Sequence, residues 1–249
     1  MRRASLATAR AFRAILEDGR ERVRQIDQDP IGDVLGEGIS KKKLDRLMAD
    51  GDPAAAGVVL GAVEAFAQEF ATVIQRIMRL KEWCGTQRIV VGGGLRASRV
   101  AERAIGRTAA LLKAAQHDVE LQPIRHDPDE AGLIGCTHLA PSWIFLGHDG
   151  ILAVNIGGST IRVGVVELNR KKAADLSKSK VGMSELWRHA DDGPNRRGAV
   201  PTLDGHEVTV LMHSDAVVQG LSEAPFMRDA RHWGVMTIGT GLGNARFTN

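Results

Sequence analysis

Residues Ile151 to Leu168 constrain this 249-residue chain more than any other stretch. Two runs rich in β-branched residues, Ile151 to Ile156 and Ile161 to Leu168, flank a break of Gly157, Gly158, Ser159 and Thr160. Both runs read as strands. A break that short closes as a hairpin, so the two strands must be antiparallel neighbours. The tip presents backbone N–H groups unshielded by Cβ atoms, together with two hydroxyls. That combination suits a phosphate chain, which needs close backbone approach and fixed donors. An ordinary hairpin with a glycine turn has the same pattern, so this stretch alone leaves both readings open.

The rest of the chain supplies the context. Its length suits one large domain or two lobes. Hydrophobic content of 43% and charged content of 25% place it among globular proteins. With 33 basic and 30 acidic residues the formal charge is only +3, and no basic stripe is interleaved with aromatics. DNA is therefore an unexpected partner. Cys84 and Cys136 form neither a metal spacing nor a disulfide framework, which suits a reducing, cytoplasmic location. No apolar run is expected to span a membrane.

Residues 1–50 read as a helical amino-terminal segment broken by Asp29-Pro30 and the glycines at 32, 36 and 38. Met1 to Leu16 reads as an amphipathic helix start in preference to a transit peptide. The Lys41 to Lys43 run reads as a solvated face, and no chemistry is assigned to the segment. Asp52-Pro53 starts a long core helix carrying Val59, Val63, Phe66, Phe70 and Ile74, ending near Lys81. Arg88 to Val91 is a strand running into Gly92, Gly93, Gly94 and Leu95, and Ser98 then caps a helix through Leu112. This turn either meets a nucleotide or simply joins strand to helix closely. Glu120 to Arg125 reads as a strand, and Asp127 to Leu139 as a helix with its capping acids. Residues 142–150 are a connector. Residues 169–200 are irregular, with a helical turn expected around Glu185 to Arg188. Val208 to Met212 reads as a strand ending at His213, Ser214 and Asp215, and Ala216 to Glu223 as a helix. Asp215 there is either a helix cap or a base for a substrate hydroxyl. Gly234 to Ile238 is a strand entering the turn Gly239, Thr240, Gly241, Leu242, Gly243. No helix with a ribose-binding acid follows it, which excludes a Rossmann site.

Taken together, NIGGSTIRVGVVEL, MHSDAVVQGLSE, MTIGTGLGN, IVVGGGL and DPDEAGLIGCTHLAP resemble motifs of the ROK family of sugar kinases and repressors, within the actin-like ATPase superfamily. The resemblance implies an α/β, ribonuclease H-like fold of two lobes with a nucleotide cleft. The order of the motifs implies circular permutation. An adenosine-side lobe at 51–141 comes first, 142–150 joins the old ends, and 151–249 forms the phosphate-binding and catalytic lobe. Chain termini often lie close together, which makes such a join feasible.

The resemblance implies an ATP-dependent, glucokinase-like hexose kinase. Gly157, Gly158, Ser159 and Thr160 would contact the β- and γ-phosphates. Gly239, Thr240, Gly241, Leu242 and Gly243 would hold the phosphates from the other side, and Gly92, Gly93, Gly94 and Leu95 would meet the nucleoside. Asp215 would be the general base, and Ser214 with Asp215 would bind the sugar. ATP and magnesium are the implied cofactors, zinc is not expected, and a homodimer is compatible with the family. Four departures bear on activity. Asn155 stands at the magnesium-site position where the family has Asp, and an amide supplies no negative charge to the ion. Ser214 replaces an asparagine. The family's glutamate–x–glycine–histidine and zinc-binding cysteine motifs are absent. The stretch near Val200-Pro201 is short, as in a reduced form or a piece of a longer parent. These departures favour an alternative, a sugar- or nucleotide-binding regulator with little or no catalysis, and a scaffold with a decayed site is a third possibility.

Overall fold

The computed structural model describes residues 7–94, 98–156, 160–188, 202–203, 206–207 and 213–249. Its architecture is mixed α/β, as the alternation of apolar strands and periodic helices predicts. The chain forms two compact units, Met1–Pro128 with Met227–Asn249, and Asp129–Phe226. Elements are numbered in chain order.

In the first unit, helices α1 (Ala9–Arg24), α2 (Lys41–Asp50), α3 (Pro53–Met78) and α4 (Arg99–Ala114) accompany strands β1 (Arg88–Gly92) and β2 (Glu120–Pro123). The last two strands, β8 (His232–Ile238) and β9 (Leu242–Thr248), complete its sheet. The order is β2-β1-β8-β9, with β1 parallel to both β2 and β8, and β9 antiparallel to β8. The caps fall where the sequence sets them. Asp52 accepts the N–H groups of Ala54 and Ala55 to start α3, and Ser98 accepts that of Ala101 to start α4. One core joins Phe12 and Leu16 of α1, Phe66 and Phe70 of α3, Val100 and Leu112 of α4, and Ile89, Val91 and Ile238 of the sheet. Phe12 meets Phe66 edge-on at 5.7 Å between centroids. Among the described helices only α3 is long and apolar enough to cross a membrane. Its Val59, Phe66, Phe70 and Ile74 stripe is buried in this core.

In the second unit, β3 (Gly150–Ile156), β4 (Thr160–Glu167) and β5 (Lys180–Arg188) form an antiparallel meander in that order. The hairpin predicted at 151–168 is therefore present. Helix α5 (Pro128–Cys136) lays Leu133 and Ile134 on Ala153, Val166, Ile151 and Val181 of this sheet. On the other face Leu152, Val154, Ile156 and Met183 are exposed. The connector forms a 3₁₀ turn at Ser142–Phe145, where Phe145 packs with Leu168 and Leu176. A two-residue pair, β6 (Thr202–Leu203) with β7 (His206–Glu207), and helix α6 (Asp215–Glu223) follow.

Three expectations need correction. Glu185 to Arg188 is strand, because β5 pairs along β4 as far as Thr160↔Arg188, with a bulge at Gly182 that turns Val181 and Met183 to opposite faces. The stretch 129–136, expected in the adenosine-side lobe, packs instead on the β3–β4 hairpin. Strands β8 and β9, expected in the catalytic lobe, belong to the sheet of β1 and β2. Residues 208–212, expected as a strand, lie outside the described residues.

Candidate functional site

The predicted site residues divide between the two units. In the second unit, Asn155 is the penultimate residue of β3 and Asp215 the first residue of α6. Asn155 Nδ2 donates to Asp215 Oδ1 at 3.3 Å. Gln219, one turn along α6 and buried, donates from Nε2 to Asp215 Oδ2 at 2.8 Å. The half-buried carboxylate is thus fixed by two neutral amides, one on each oxygen. Each oxygen keeps a second lone pair for a hydroxyl. The cap of α6 is Ser214, whose hydroxyl accepts the N–H of Val217. This separates the two roles the sequence left open: Asp215 is not the cap, and Ser214 has its own acceptor engaged there.

A helical neighbour makes this arrangement possible. A Cβ on Gly132 of α5 would lie 2.1 Å from Asn155 Nδ2. A Cβ on Gly135 would lie 1.7 Å from the Val218 carbonyl oxygen. Both glycines let α5 press against the two elements that carry the pair. Opposite Asn155 in the β3–β4 register stands Arg162, which forms an ion pair with Asp129 at the start of α5. Thr160 opens β4 and is half-buried. Gly157, Gly158 and Ser159 lie outside the described residues. Gln219 escaped the sequence reading. Its i, i+4 spacing from Asp215 was the available signal.

In the first unit two glycine turns adjoin. Gly93 has φ +89°, and a Cβ there would come within 2.6 Å of the Ile238 backbone N and O. The turn after β1 can therefore lie against the end of β8 only as glycine. Gly239 and Gly241 close the β8–β9 turn through an N–H to carbonyl bond of 2.9 Å, and Thr240 is exposed at its tip. Leu242 and Gly243 already belong to β9, opposite Ile238 and Thr237. Leu95 lies outside the described residues. Segments read as having no chemistry also reach these turns. The N–H of Ala9, at the start of α1, donates to the Gly239 carbonyl at 3.0 Å, and Lys41 Nζ donates to the Gly94 carbonyl. Beside them is a cavity of about 200 Å³, lined by residues that include Phe12, Arg13, Lys41, Leu44, Gly94, Ser98, Ile238, Gly239 and Thr240.

Among the described residues no group of three or more His, Cys, Asp or Glu side chains could hold a metal. At the position expected for magnesium, Asn155 is neutral and aims Nδ2 at Asp215, so this pair supplies a single carboxylate. That donor set does not fit an ion held by the protein alone. Burial pushes the Cys136 thiol above its ordinary value, and its Sγ bonds the Gly132 carbonyl at 3.2 Å, as in a structural cysteine. Comparison with protein-family models, curated proteins and solved structures gives no match.

Proposed function

We propose that the protein is an ATP-dependent sugar kinase of the ROK type, with Asp215 as the base that accepts a proton from the attacking sugar hydroxyl. The observation that carries this reading is the Asn155–Asp215 hydrogen bond. It joins two motifs 60 residues apart in sequence at the point where the reading needs them together. An oriented, half-buried carboxylate with spare lone pairs is suited to general-base work. The glycine turns of the first unit support the nucleotide part of the reading, since they are bare backbone beside a cavity. Magnesium enters as the counter-ion of the nucleotide substrate.

The fold belongs to the same proposal: an actin-like, ribonuclease H-type pair of halves. Each of the two larger sheets contains an antiparallel hairpin, β3–β4 or β8–β9, with glycine-rich sequence at its tip. In the first unit, parallel strands β1 and β2 extend outward from the first strand of the hairpin. Circular permutation is supported by that unit's composition from both ends of the chain.

The test is ADP release with glucose and a small hexose panel, for the wild type and Asp215→Asn. Loss of base catalysis lowers turnover by roughly 10²–10⁴-fold. The variant is expected to bind magnesium-ATP normally by calorimetry. Undiminished turnover in Asp215→Asn would remove the carboxylate from the mechanism.

A second reading, a binding protein with little catalysis, is favoured by Asn155. Its amide occupies one lone pair of Asp215 and brings no charge to a metal. Asn155→Asp distinguishes the two. A gain of magnesium-dependent turnover from a silent wild type would mark the native chain as the regulator and the rest of the site as intact.

A further inference from the structure

We propose that Lys41 recognises a phosphate group at the first unit's cavity, so that the cavity takes a nucleoside phosphate in preference to the bare nucleoside. The proposal rests on the reading of the Gly92–Gly94 and Gly239–Gly241 turns as nucleotide turns, and it adds a residue from a segment to which that reading gave no role.

The walls of the cavity are of two kinds. Phe12, Leu44 and Ile238 supply apolar surface, suited to a flat base. Gly94, Gly239 and Thr240 supply backbone and a hydroxyl. Two cations, Arg13 and Lys41, are among the described lining residues, and no carboxylate is among them. The cavity has a volume of about 200 Å³. A lining with positive charge, apolar surface and no acid selects an aromatic ligand that carries an anion.

The two cations do different work. Arg13 Nη1 donates to the carbonyls of Gly36, at 2.7 Å, and Ile39. Those carbonyls belong to the turn just ahead of Ser40, whose hydroxyl caps α2 through the N–H of Lys43. Arg13 thereby fixes where α2 begins and so where Lys41 stands. Lys41 is exposed, and its Nζ donates to the Gly94 carbonyl, on the glycine turn itself. An ammonium has three donors, and a single carbonyl takes one of them. A phosphate oxygen beside Gly94 would meet the others as a charge-assisted hydrogen bond.

Calorimetric titration of the full chain with adenosine, AMP and ATP tests this, using wild type, Lys41→Gln, Lys41→Arg and Lys42→Gln. Lys42 is the exposed neighbour that does not line the cavity. The wild type is expected to bind AMP more tightly than adenosine. Lys41→Gln is expected to lose about tenfold to a hundredfold in affinity for AMP and ATP, the range of a hydrogen bond to a charged group, with adenosine unchanged. Lys41→Arg is expected to keep most of the phosphate preference, and Lys42→Gln all of it. Unchanged AMP binding in Lys41→Gln overturns the proposal. Equal losses for adenosine and AMP overturn it too, since Lys41 would then be a brace for Gly94. A wild type that binds adenosine and AMP equally defeats the role of Lys41 and leaves the nucleotide turns standing. A wild type that binds none of the three defeats the reading of the turns and the proposal with it.

Discussion

At Gly135 an added methyl would overlap the carbonyl oxygen of Val218, and a backbone atom of α6 cannot swing aside as a side-chain tip can. Gly135→Ala is therefore expected to lower stability by about 1–3 kcal/mol or more, the range for overpacking. Gly61 in α3 has nothing within 4 Å of the same added atom. Gly61→Ala is expected to raise stability by about 0.5–1 kcal/mol, because alanine is the better helix residue. Urea unfolding of the two variants checks both signs, and a neutral Gly135→Ala would mean that α5 and α6 can separate at little cost. The chain reads glycine-rich at both places, but only packing distinguishes them. The same holds at Asp215. Its position at the start of a helix left cap and base open; the cap is supplied by Ser214, and Asp215 is held by Asn155 from β3 and by Gln219 one turn along its own helix. Of these partners only Gln219 leaves a trace in the sequence, its i, i+4 spacing.

At the scale of elements, α1 and the turn after it are tied by a buried arginine. Arg20 is fully buried, with Nε on Asp29 at 2.9 Å, Nη1 on Glu17 at 2.7 Å and Nη2 on the Gly32 carbonyl at 2.7 Å. Burial pushes the Asp29 carboxyl up, but the Ile31 N–H and the Arg20 and Arg24 guanidiniums outweigh it and hold it below its ordinary value. The folded form thus binds this proton less readily than the unfolded form. Its contribution is fully present above the ordinary carboxylate range, near pH 4, and is lost as pH falls through the lowered value. Asp29→Asn leaves Arg20 buried without its main counter-charge and is expected to cost about 3–5 kcal/mol. Its stability is also expected to fall less steeply in acid. Urea midpoints between pH 7 and pH 2 for both proteins test this, and parallel curves would show that Asp29 does not carry the acid sensitivity. Helix α1 was legible from its amphipathic pattern, and α3 and α4 from their caps. The link from α1 through Arg13 to α2 and the Gly94 turn was not, because side-chain bonds to distant carbonyls leave no periodic trace. Strand β5 was missed for a related reason: a four-residue window around Trp187 is too short to separate period 2 from period 3.6.

At the scale of the whole molecule, the first unit depends on the chain's last residues. Strand β8 lies inside its sheet, between β1 and β9. Trp233, Val235, Met236 and Ile238 on it are buried to 2% exposure or less. Each such side chain contributes about 1.5–3 kcal/mol by burial, so β8 alone contributes about 6–12 kcal/mol. That equals the usual net stability of a domain, about 5–15 kcal/mol. A chain ending at Phe226 is therefore expected to lose the first unit's cooperative fold. Amide hydrogen exchange should show α3 and β1 unprotected, while β3 and β4, which pair within the second unit, keep their protection. Persistent protection of α3 in the shortened chain would mean that α1 to α4 form a core without the sheet's inner strand. The motif order assigned the last strands to the catalytic lobe, whereas they complete the sheet of the first unit. Hydrophobic pattern identifies a strand and says nothing about its neighbours. Parallel pairing of β8 with a strand more than 140 residues earlier is decided by the register Arg88↔Trp233 to Gly92↔Thr237 and by a glycine at 93 that lets the two turns touch. If the shortened chain fails as expected, the glycine turns and the core that holds them form one folding unit. In that case any change that unpairs β8 would abolish stability and, with it, the nucleotide binding proposed for those turns.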